Sequence, residues 1–198
     1  MEKITSCRFS LSVMSDNYKN MILDALAKVD TTAVTSTTDL LATTYTGDST
    51  DVLAALQSIF TVVNDNETHI TMEATLSPVN ITREMTVTDS VPVVKNFIAH
   101  GKIALYQLGV LNYQNHIDNI NRFAKSCKLY DKPALHGCEF HGDINKIFDF
   151  LTIVYELIEV RIDDFVIQIS LSVNSPSLLK QEAMNSVCSD QGEHTNRL

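Results

Sequence analysis

The chain repeats its own pattern, and that repetition limits the folds open to it more than any other feature. Residues about 95 positions apart agree in type: Ile22, Leu56, Phe60, Leu76 and Ser77 match Ile117, Leu151, Tyr155, Leu171 and Ser172. Gly47 and Tyr18 likewise match Gly142 and Tyr113. Phe9-Ser10-Leu11 matches Ile103-Ala104-Leu105 at an offset one smaller, so the second copy carries an extra residue ahead of its first helix. The apolar stripe Val52, Ala55, Leu56, Ile59 and Phe60 survives the shift as Ile147, Phe150, Leu151, Val154 and Tyr155. Matching stripes in register over roughly seventy residues mark a tandem duplication.

Each copy reads as strand, helix, strand, strand, helix, strand. Cys7, Phe9, Leu11 and Val13 alternate with Arg8, Ser10 and Ser12, a half-buried strand. Tyr18, Met21, Ile22, Ala25, Leu26 and Val29 recur at helical spacing, which puts Tyr18, and by duplication Tyr113, in the core. The threonine-rich stretch 31–46 suits a hairpin turning at Asp39. Gly47-Asp48-Ser49 opens a second helix, and residues 69–77 alternate again. This order is the ferredoxin-like βαββαβ motif. The expected fold is therefore α+β, a tandem duplication of that module, with antiparallel sheets and helices on one face. The expected boundaries are repeats at 5–78 and 101–174, a linker at 79–100 with some structure of its own, and a flexible tail at 178–198.

In such a module the apolar sets face the helices. The other sheet face receives Ser10, Ser12, His69, Thr71, Glu73, Thr75 and Ser77 from copy one. Copy two supplies Ala104, Tyr106, Leu108, Val166, Gln168, Ser170 and Ser172. Small hydroxyls dominate this face. They leave room above the sheet and offer donors and acceptors, which suits a ligand pocket; they also suit water or a partner sheet.

Several classes of function are disfavoured. The net charge is −9 and the Lys and Arg residues form no basic stripe, against a nucleic-acid partner. No apolar run approaches the ~18 residues of a spanning helix, so no membrane insertion is expected. No signal peptide pattern opens the chain, and Cys7, Cys127, Cys138 and Cys188 show no CxxC spacing, which points to reduced thiols and the cytosol. His136, Cys138, Glu139 and His141 form a local cluster, but 136 and 138 face away from 139 and 141, so no metal site is assigned. Nucleophile elbows and phosphate loops are absent. Nothing pairs carboxylates for acid–base work. Binding is favoured over catalysis, and no cofactor is expected.

Specific stretches then resemble a known family. Arg8-Phe9-Ser10-Leu11 with Met14, Thr38-Asp39 ahead of Thr43, Gly47, and His69-Ile70 with Met72 and Thr75 are similar to the first half of YkoF-type proteins. Ala104-Leu105-Tyr106, Tyr113, Glu139, Gly142-Asp143 and Leu171 to Ser177 are similar to the second half. The family's Tyr-Pro after the first strand's leucine is Ser12-Val13 in one copy and Tyr106-Gln107 in the other. The resemblance implies tandem ferredoxin-like, ACT-like repeats that form a homodimer and bind thiamine through its hydroxymethylpyrimidine portion. It also implies a role in uptake or salvage of thiamine precursors, with a transporter as a partner.

On that resemblance the ligand-binding residues expected in copy one are Ser10, Ser12, Asp39, Thr43, Thr75 and Ser77. In copy two they are Tyr106, Gln107, His136, Glu139, Ser170 and Ser172. Hydroxyls would bond the pyrimidine ring, Asp39 or Glu139 would accept from its amine, and Tyr106 would stack on it. The alternative is an ACT-like structural or regulatory module whose polar sheet face is a dimer or partner interface.

Overall fold

The computed structural model describes residues 2–81, 91–109 and 113–177. The first repeat runs β1 (Glu2–Val13), α1 (Tyr18–Lys28), β2 (Thr35–Thr38), β3 (Thr43–Gly47), α2 (Ser49–Val63) and β4 (Ile70–Ile81). The second runs β5 (Ile98–Gln107), α3 (Tyr113–Ser126), β6 (Tyr130–Ala134), β7 (Gly137–Asp143), α4 (Ile144–Glu159) and β8 (Phe165–Val173). The duplicated βαββαβ module is thus present as expected.

The two modules share one sheet. Its eight strands lie in the order β2-β3-β1-β4-β8-β5-β7-β6, all neighbours antiparallel. The order reads the same from either edge once repeat numbers are exchanged. The seam is the β4–β8 ladder, from Ile70 opposite Val173 to Leu76 opposite Ile167. Both seam strands alternate apolar and polar residues, so pairing them extends one apolar face across both repeats.

That face is covered by α2 and α4, whose apolar stripes are buried almost completely. Phe60, Tyr155, Phe140, Phe150 and Phe165 are among the largest side chains sealed inside. Two polar bonds cross between the repeats within this layer: Thr5 Oγ1 donates to Tyr155 Oη at 2.9 Å, and Gln57 Nε2 donates to Asn145 Oδ1 at 2.9 Å. Each helix is capped by the same duplicated aspartate. Asp48 accepts from Thr50 N, and Asp143 accepts from Asn145 N and Lys146 N. Either cap is worth about 1 kcal/mol.

Four details depart from the expected pattern. Strand β4 runs on through Pro78 to Ile81, beyond the boundary at 78, and β5 begins at Ile98 rather than 101. Pro78 is tolerated in a central strand because the β4–β8 ladder has already ended at Leu76, so its missing N–H faces no partner strand. Tyr18 is 55% exposed rather than core, since it opens α1 and overhangs the layer; Ala25 and Val29, further along the stripe, are the buried members. Tyr113 is not core either and is described with the site.

Within the linker, residues 91–97 lie along the helices. Val93 N–H donates to Ser58 Oγ at 2.9 Å, Lys95 Nζ to Thr61 O at 3.2 Å, and the Phe97 ring meets Phe60 at 6.2 Å. Residues 82–90 and the tail 178–198, which includes Cys188 and His194, lie outside the described residues. Among the described residues no helix is long and apolar enough to cross a membrane.

Candidate functional site

The expected ligand-binding residues fall into three places: a cleft in the first repeat, the matching position in the second, and a depression over the seam.

The first cleft lies between α1 and the β2–β3 hairpin. Asp39 sets the hairpin turn: its N–H donates to Ala42 O at 3.0 Å, and its Oδ1 accepts from Leu41 N at 2.7 Å and Ala42 N at 2.9 Å. These backbone bonds, with Arg8 at 3.9 Å adding a smaller effect, hold the Asp39 carboxyl below its ordinary range. Local turn chemistry therefore occupies one carboxylate oxygen. The turn drives Leu40 and Leu41 outward, where they are 102% and 79% exposed. Beneath them is a cleft of about 260 Å³, walled by Phe9, Leu11, Ile22, Leu23, Leu26 and Leu41. Ser10 and Thr43, both expected from sequence, line it, together with Thr38 and Ala42. The Thr38 and Thr43 hydroxyls bond each other at 3.1 Å at its polar end. Asp39 itself does not line the cleft.

In the second repeat the same position is closed. Gly137, which corresponds to Ala42, lets the β6–β7 hairpin come hard against β5; a Cβ there would lie 1.9 Å from Ile103 O. The ladder accordingly runs one pair further, to Ala104 opposite Gly137, whereas the first repeat stops at Phe9 opposite Thr43. His136, at φ 63°, then places its carbonyl where Leu105 N–H donates to it at 2.9 Å. Tyr113 Oη donates to Leu105 O at 2.8 Å and is also hydrogen-bonded to His136 Nδ1. The His136 ring sits between Tyr106 and Tyr113, at centroid distances of 5.0 and 5.2 Å. Burial, and then the neighbouring Tyr106, raise the Tyr113 phenol above its ordinary value. Of the expected residues, Tyr106 and His136 thus meet each other.

Gln107 points toward the helices, opposite Phe165, and both its side-chain polar atoms are buried without a partner, as is Asn121 Oδ1. Leaving such groups unsatisfied costs about 1–3 kcal/mol each, an expense a packed core of this kind would ordinarily avoid. Asn121 stands at the position of Leu26, so a polar side chain replaces one apolar wall residue of the first cleft.

The third place is on the open sheet face over the seam. Thr71, Glu73, His100, Lys102, Glu139, Ser170 and Ser172 line a depression of about 350 Å³. Cross-strand register gathers them: Glu73 pairs with Ser170, Ser170 with Lys102, and Lys102 with Glu139. Ser170 Oγ donates to Glu73 Oε2 at 2.5 Å, and His69 Nε2 bonds Ser172 Oγ at 3.1 Å. Glu139 accepts from Lys102 at 2.9 Å and Lys132 at 3.1 Å, and the Lys102 bond is the chief cause of its lowered pKa. His100 and His141 stack at 5.4 Å. Ser12, Thr75 and Ser77 lie further along this open face, with Ser12 opposite Thr71 and Thr75 opposite Arg8. Among the described residues no group of three His, Cys, Asp or Glu is placed to hold a metal ion. Burial raises the thiols of Cys7 and, to about 11, Cys138, which disfavours either as a nucleophile.

Sequence reasoning missed the cleft's apolar walls and the Tyr113–His136 contact. Two sequence signals point there: Leu40-Leu41 stands out in a threonine-rich turn, and a tyrosine opens the first helix of both repeats, as Tyr18 and Tyr113.

Comparison with known proteins agrees with this architecture. The model of the YkoF-related family matches residues 4–81 and again 98–178, one match per repeat. A protein of Bacillus subtilis (strain 168) named "Putative HMP/thiamine-binding protein YkoF" is 27% identical over 185 residues, covering 88% of this chain and 92% of that protein.

Proposed function

The chain belongs to the YkoF-related family, and on that footing we propose that it binds thiamine, or the hydroxymethylpyrimidine half of thiamine, without turning it over. The observation that carries this reading is the first-repeat cleft: an apolar slot of about 260 Å³ ending in the Thr38–Thr43 hydroxyl pair. Such a slot suits one planar ring whose edge carries a donor and acceptors, with apolar side chains against its faces. The net charge of −9 adds a long-range attraction for the cationic thiazolium of thiamine. A cytosolic role in handing thiamine precursors on from a transporter follows from this reading.

Calorimetric titration with thiamine, hydroxymethylpyrimidine and thiamine phosphate tests it. Binding of the first two is expected, with Leu26→Trp, which fills the slot, abolishing it. An absence of heat with all three at millimolar ligand overturns it.

A second reading concerns the open sheet face as the place where two copies meet. Across that face Glu73, Lys102, Glu139 and Lys132 alternate in sign. A two-fold contact sets such a row against its own reverse, opposite signs together. Light scattering should then give a dimer for the native chain and a monomer for Lys102→Glu; a monomeric native chain removes this reading.

A further inference from the structure

The two repeats hold the same backbone edge in two different states. Met14 N–H donates to His69 O on the β4 side, so the odd-numbered residues of β1 turn their N–H and C=O the other way, toward β3. Leu11 is one of these. The β1–β3 ladder ends at Phe9 opposite Thr43, so the N–H and C=O of Leu11 point past the ladder into the first cleft, which Leu11 lines. The corresponding residue of the second repeat is Leu105. There the N–H donates to His136 O at 2.9 Å, and the C=O accepts from Tyr113 Oη at 2.8 Å. One acceptor and one donor, side by side, meet the edge of Leu105.

We propose that Tyr113 and His136 occupy the second cleft in the manner of a bound ligand, and that Leu11 presents the same edge, unoccupied by side chains, to the ligand of the first. This rests on the aminopyrimidine reading for the identity of that ligand. A ring nitrogen accepts from Leu11 N–H where His136 O accepts from Leu105 N–H. The exocyclic amine donates to Leu11 O where Tyr113 donates to Leu105 O. Recognition is then by main chain, and it selects a donor and an acceptor on adjacent ring positions.

Two substitutions, and one tyrosine shared by both repeats but placed differently in each, separate the two states. Ala42 stands where Gly137 allows the second hairpin its close approach. Leu41, 79% exposed, stands where His136 turns in. Tyr18, 55% exposed, stands where Tyr113 folds over. Tyr113 is therefore the specificity-determining residue of the second cleft, and any ligand there must first displace it. The unpartnered Asn121 Oδ1, at the position of the cleft-lining Leu26, is the group such a ligand would meet behind it.

The test is a calorimetric titration of the native chain, Tyr113→Phe and Tyr113→Ala with hydroxymethylpyrimidine. The native chain should bind one equivalent. Tyr113→Ala should bind two, its second site at least about tenfold tighter than any second site of the native chain, because the closed state no longer competes. Tyr113→Phe, which keeps the ring and loses only the hydroxyl, guards against a folding defect and should fall between. Two equal sites in the native chain, or one site in every variant, overturns the proposal while leaving the ligand reading intact. A second readout needs no ligand. The Tyr113 hydroxyl proton should exchange slowly in the free protein by NMR, and the His136 ring resonances should move in Tyr113→Phe. A fast-exchanging hydroxyl with unmoved His136 resonances overturns the closed state directly, whatever the titrations show.

Discussion

The two clefts are built on one plan and differ by a few side chains, yet one stands open and the other is shut. In the first repeat Leu26 and Leu41 line an apolar slot. In the second, Asn121 and His136 take those positions and Tyr113 closes over Leu105. The core shows no such divergence: Phe60 and Tyr155, or Asp48 and Asp143, do the same work in both halves. Duplication here preserved what packs the sheet and released what faces the clefts. The lesson is that a duplicated chain separates its structural residues from its functional ones without reference to any other protein.

The comparison can be broken most forcefully at the core. Phe60→Ala and Tyr155→Ala should each cost about 3–5 kcal/mol in chemical denaturation, since each empties a fully buried aromatic position. Because one sheet runs through both repeats, each substitution should lower a single shared transition. Two separate transitions, only one of them moved, would show that the repeats are independent.

A transplant sharpens the comparison at the clefts. Leu41→His with Ser12→Tyr and Ala42→Gly gives the first repeat the side chains that close the second. Affinity for hydroxymethylpyrimidine should fall about a hundredfold, or ~2.7 kcal/mol, by calorimetry. Unchanged affinity would mean that these residues do not set the difference.

Smaller effects should be symmetric. Asp48→Ala and Asp143→Ala each remove a helix cap and should cost about 1 kcal/mol apiece. A markedly unequal pair would show that the two helices are not equivalent supports.

The smallest effect is one of pH. The Glu139 carboxyl is held below its ordinary range, chiefly by its hydrogen bond from Lys102. A depressed carboxylate stabilises the folded state fully above its unfolded value, and that stabilisation is lost as pH falls below 4.5 through the folded value. Lys102 and Lys132 are largely exposed, so solvent screening limits the contribution to under ~1 kcal/mol. Glu139→Gln should flatten this part of the stability profile, and an unaltered profile would show that the pair contributes nothing.

Much of this was legible in the sequence, for definite reasons. Strand alternation and the repeated helical stripes are local, so Phe9, Leu76, Phe60 and Tyr155 announced the module, its duplication and its core. The hairpin around Asp39 was readable because turn residues carry their geometry with them. Register across the seam was not readable: nothing in β4 or β8 alone says that Glu73 lies opposite Ser170. The exposure of Tyr18 is not legible, because periodicity marks a face of a helix but not where the layer beneath it ends. The turn-closing bonds of Asp39 Oδ1 to Leu41 and Ala42 are not legible, because a carboxylate that closes a turn and one that waits for an amine look identical in sequence. The cleft's shape depends on one methyl group, Ala42 against Gly137, and its consequence appears only when the hairpin is seen against its neighbour strand.

The most direct test of the account is the stoichiometry of hydroxymethylpyrimidine on the unaltered chain, measured by titration calorimetry at protein concentrations well above the dissociation constant. An open first cleft and a closed second one predict one equivalent per chain, with any further binding far weaker. Two equivalents of equal affinity would contradict it.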